Sequence, residues 1–105
     1  MKIDDRFRGD TNPLVMHLYE VVDKKDRPLN IPSDVQKIVF HFKGEDGVLH
    51  SIEGVNGTSD GKIEFPFSEN TADAGDYVYD VEVTYNTGEK VTFVKDVMTI
   101  QEDVG

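Results

Sequence analysis

Two kinds of side chain here could do chemistry, histidines and carboxylates, and they are placed differently along the sequence. The histidines are His17, His41 and His50. Imidazole is a common zinc ligand, but ligand sets usually repeat at short spacing. None of the three has another histidine at i+2 or i+4, and no H-E-x-x-H occurs, so surface or semi-buried histidines are expected. The carboxylates gather in pairs: Asp4-Asp5, Glu45-Asp46, and Asp73 with Asp76. Oxygen-rich loops are what calcium takes, yet none has the alternating acidic positions of an EF-hand loop. No cofactor is therefore expected, with Ca²⁺ as the weaker alternative. Two carboxylates can also work as acid and base if a cleft separates their pKa values. No G-x-S-x-G, phosphate-binding loop or G-x-G-x-x-G accompanies them. The expectation is no catalytic residue and no enzymatic activity. Arg8-Gly9-Asp10 spells an adhesion tripeptide and reads more simply as a Gly-Asp turn between strands.

The elements that must position these residues are strands. Tyr77, Tyr79, Val81, Val83 and Tyr85 alternate with Asp80, Glu82 and Thr84, a period of two with one apolar face. Ile38, Phe40 and Phe42 repeat the pattern, as do Ile63, Phe65 and Phe67. Pro66, on the outer side of that last run, marks an edge strand or strand end. Turn signals separate the runs: Asp26-Arg27-Pro28, Gly44-Glu45-Asp46-Gly47, Asn56-Gly57, Asp60-Gly61 and Asn86-Thr87-Gly88. Strands are predicted near 2–8, 14–22, 35–43, 47–54, 62–67, 76–86 and 89–100. No helix is predicted beyond one turn over 68–74, and residues 101–105 read as a frayed tail. About seven short strands with tight turns define an antiparallel sandwich or barrel.

Composition narrows the class. The chain has 105 residues, the scale of one domain, with no cysteine for a disulfide or thiol site. Acidic residues number 21 against 11 basic, a net charge of −10. Such a surface repels nucleic-acid backbones and anionic membranes. No apolar run is long enough to span a membrane, and no signal peptide is evident.

Asp73-Ala74-Gly75-Asp76-Tyr77 sharpens the fold. In immunoglobulin-like sandwiches such a tyrosine opens a strand at a corner and bonds its hydroxyl to upstream backbone. The cysteine found two residues later in antibody domains is Tyr79 here. The fold expected is an immunoglobulin-like antiparallel β-sandwich of about seven strands, without a disulfide, as one domain over 1–105.

In order, Arg8–Thr11, Arg27-Pro28-Leu29, Val39–Phe42, Gly61–Phe65, Asn70–Tyr77, Val81–Tyr85 with Gly88, and Thr92-Phe93 form a familiar series. It resembles the N-terminal domain of phage baseplate upper proteins and related small immunoglobulin-like domains of tailed phages of Gram-positive bacteria. The likeness runs from about Phe7 to Glu102, and the A-G-x-Y segment with the following E-V-T-Y is its most specific part. Phe93-Val94 stands where that family often has Phe-Pro, and these 105 residues do not include the family's downstream helical and fibre regions, as expected of either a one-domain virion protein or a piece of a longer one. The resemblance implies a virion structural role with other virion proteins, or further copies of itself, as partners. The alternative is a host-surface glycan- or ligand-binding module. Of the four tyrosines, Tyr19 alone lies off the presumed core face, as an exposed binding platform.

Overall fold

The computed structural model describes residues 6–7, 13–67 and 73–101. The alternating runs become long strands because a half-buried strand needs one apolar side. In chain order the elements are β1 (Arg6–Phe7), β2 (Leu14–His17), β3 (Tyr19–Val22), β4 (Lys25–Pro28), a single helical turn α1 (Ile31–Asp34), β5 (Val35–Gly44) and β6 (Leu49–Glu53). They are followed by β7 (Lys62–Phe65), β8 (Gly75–Tyr85) and β9 (Lys90–Gln101). The main sheet runs β1-β9-β8-β5-β6, and β2 pairs with β7 in a second sheet. A bridge between Val55 and Glu64 widens that second sheet. All pairs are antiparallel except β1 with β9, which run parallel in the register Arg6↔Ile100 and Phe7↔Gln101.

This is an all-β, sandwich-like fold. β5 and β8 are the central strands of the main sheet, flanked by β6 and β9, and β2 with β7 forms the second layer. The core lies between the sheets. Phe40 is fully buried, with ring centroids of Tyr79 at 5.3 Å, Phe65 at 5.5 Å, Phe42 at 5.6 Å and Phe67 at 6.1 Å. Phe40 on β5 and Tyr79 on β8 pack the centre of this core with aromatic rings, with no cysteine in the chain. Each such aromatic contact adds about 0.5–1.5 kcal/mol beyond area burial.

Three segments differ from the sequence expectation. The strand expected over 14–22 changes partner at Leu18, whose N–H donates to Gly61 O (2.8 Å) while its carbonyl accepts from the Leu29 N–H (3.0 Å). Beyond that pivot β3 pairs with β4, the segment read as a polar turn. Asp23 and Lys24, both at positive φ, form the tip of this two-stranded ribbon. The third is α1, a four-residue turn with proline in its first positions, too short to leave a period in the sequence. β7 ends at Phe65, just before Pro66. The expectations for 2–5, for the Arg8-Gly9-Asp10 turn and for the tail at 102–105 fall outside the described residues, as does the helical turn expected over 68–74 except for Asp73 and Ala74, which are not helical.

Candidate functional site

The corner motif is the most local feature. Tyr77 Oη donates to the Asp73 carbonyl at 2.6 Å. Gly75, at φ +148°, carries the turn between them. The Tyr77 ring is buried edge-on against Phe42, at a centroid distance of 5.5 Å, and lies over Gly44. A Cβ at Gly44 would stand 2.8 Å from its ring. Burial, then the Asp46 and Asp73 carboxylates, push the Tyr77 hydroxyl above its usual pKa.

The Glu45-Asp46 loop and the Asp73–Asp76 segment, separate in sequence, line one cleft beside this corner. Its carboxylates are not convergent: among the described residues, no three acidic or histidine groups could hold one metal ion. Asp76 Oδ1 accepts the Thr99 hydroxyl at 2.8 Å, and Asp46 Oδ1 accepts the Val48 N–H at 3.0 Å.

The histidines stay apart. His17 is exposed, and His50 stacks on Phe42 at 4.7 Å. His41 Nδ1 shares a hydrogen bond of 2.8 Å with Ser51 Oγ. Asp80 lies opposite His41 on the other neighbouring strand. Ser51, His41 and Asp80 thus form one cross-strand row that only the register reveals, and sequence reading missed it. The row lies on the outer face of a sheet, where backbone N–H groups point along the sheet into the ladder.

Tyr19 lies at the root of the ribbon, 50 % exposed. It belongs to a row along one side of the 14–22 segment with Val15, His17 and Val21, all exposed, Val21 to 72 %. Met16 and Leu18, on the other side, are buried. At about 3.3 Å per residue the row extends roughly 20 Å, from the second sheet out onto the ribbon.

The other side of the ribbon faces the β8–β9 hairpin across an open cleft of about 620 Å³. Arg27 pairs with Glu20 at 2.6 Å. The Asn86 side chain donates to Ser33 O at 2.6 Å and its N–H to Asp34 O at 3.1 Å, tying the hairpin to α1. Burial, then the charges of Glu20 and Glu89, raise the Tyr85 hydroxyl pKa.

No family model matches the chain, and no curated protein or solved structure matches it.

Proposed function

We propose that the chain is a non-enzymatic virion structural module of a tailed phage, a tail, baseplate or head-attached docking domain made in the bacterial cytoplasm. The ordered series from Arg8 to Phe93 supports the phage part of the reading. The observation that carries the docking part is the exposed row Val15, Tyr19 and Val21. It continues onto a ribbon that pairs with no third strand among the described residues. Isolated two-stranded ribbons are marginal in water, so a partner surface that covers the row gains apolar burial and stiffens the ribbon together. Val21, 72 % exposed, presents the most apolar area of the row to a partner.

The test is particle association. With the source phage propagated and banded on a density gradient, the protein co-migrates with virions and the Val21→Asp variant, folded normally, does not. Protein left in the soluble fraction while tail proteins band removes the virion role.

The second reading, a host-surface glycan module, draws on the half-exposed Tyr19 ring. Calorimetric titration with cell-wall polysaccharide separates the two: heat that disappears in Tyr19→Ala favours the glycan, and no heat leaves docking.

A further inference from the structure

The outer face of the main sheet carries balanced charge on a chain that is strongly acidic as a whole. The registers place Lys37, Lys43, Lys90 and Lys95 on it. They place Glu53, Asp76, Asp80 and Glu82 on the same side. Four lysines balance four carboxylates, so the registered residues of this face carry no net charge on a chain of charge −10. One cross-strand row on it is apolar but for one lysine stem: Leu49, Lys43, Val78 and Val97 stand in register across β6, β5, β8 and β9. Leu49, Val78 and Val97 are 60 %, 50 % and 44 % exposed.

We infer that this face is a self-association surface, and that its occupant is a second copy of the chain. Two bodies of charge −10 repel over most approaches, and this face is a broad one where they meet without net repulsion. Its charges are also ordered for self-complementarity. Asp80 lies opposite Lys95 within the sheet, so a two-fold operation can set each Asp80 toward the other copy's Lys95 while the valines cover one another. Four strands about 4.8 Å apart, read over about eight residues, give a projected patch of roughly 20 by 25 Å. Two such patches bury on the order of 1,000 Å², at the threshold for a specific interface, so the dimer is weak and dissociates on dilution.

Sedimentation equilibrium on the full chain, from micromolar to millimolar protein, tests this without any virion component. Failure here therefore leaves the docking reading untouched, and failure of that reading leaves this one. The expected result is concentration-dependent dimerisation. Val78→Asp/Val97→Asp weakens it by about tenfold or more, and Lys95→Glu by a similar factor. Asp80→Lys/Lys95→Glu, which restores the balance, returns the dissociation constant to within about threefold of the parent. Circular dichroism and thermal melting confirm that each variant is folded, and these exposed sites leave the core intact. A chain that stays monomeric to millimolar concentration overturns the inference. So does a dimer insensitive to these variants, which would use another surface, and so does a charge swap that fails to rescue.

Discussion

Tyr77 reaches back over four residues to hydrogen-bond the Asp73 carbonyl at 2.6 Å, and so fixes where β8 enters the main sheet. Tyr77→Phe keeps the ring against Phe42 and removes only the donor. A loss of about 1 kcal/mol is expected, measured by urea denaturation.

The same hydroxyl predicts an alkaline effect. Its folded pKa is raised above the usual 10.0 by burial and by Asp46 and Asp73. The unfolded chain therefore releases the proton first. The stability contributed by this group is full below about pH 10 and declines as pH rises through the folded pKa. Urea midpoints should fall from pH 8 to pH 11, less steeply in Tyr77→Phe. Tyr85, raised in the same direction, keeps a residual slope in that variant.

Gly61→Ala should be among the most damaging single substitutions, because Gly61 is buried. Gly61 has φ +85°, and a Cβ there would collide with the Leu18 carbonyl and stand 3.2 Å from the Leu29 nitrogen. Backbone strain and loss of the pivot together should cost about 3 kcal/mol. Amide chemical shifts of β3 and β4 report it.

Phe40→Ala empties the centre of the aromatic cluster. A loss of about 3–5 kcal/mol is expected from thermal or chemical melting. A domain of this size has only about 5–15 kcal/mol in total, so the variant should be partly unfolded at 37 °C.

The Glu20–Arg27 pair on the ribbon is short, but the arginine side chain is 59 % exposed. A double-mutant cycle should give a coupling of about 0.2–1 kcal/mol, reduced in 1 M salt.

What the sequence disclosed follows burial. β8 was legible because Tyr77, Tyr79, Val81 and Val83 are buried while Asp80, Glu82 and Thr84 are not. The corner was legible because its two partners are only four residues apart. The β3–β4 ribbon was not, because neither strand buries a side chain and no alternation is imposed on Lys25–Pro28. Tyr19 was read as exposed from its place opposite the core. Its alliance with Val21 depends on the ribbon extending the strand past Leu18. The Ser51–His41–Asp80 row and the balanced charge of the outer sheet face arise from registers between strands far apart in sequence, which no local pattern encodes.

The parallel pairing of β1 with β9 has a mechanical consequence. A tension that pulls Arg6 back along β1 and Gln101 forward along β9 slides the two strands past each other, loading their hydrogen bonds at once. Drawing Tyr19 and Pro28 apart at the open end of the ribbon instead unzips the β3–β4 bonds pair by pair toward Val22 and Lys25. The molecule is therefore mechanically anisotropic, gripping along the β1–β9 axis and yielding at the ribbon. Among the described residues that grip rests on two register pairs, so its rupture would free the whole outer edge of β9 in one step.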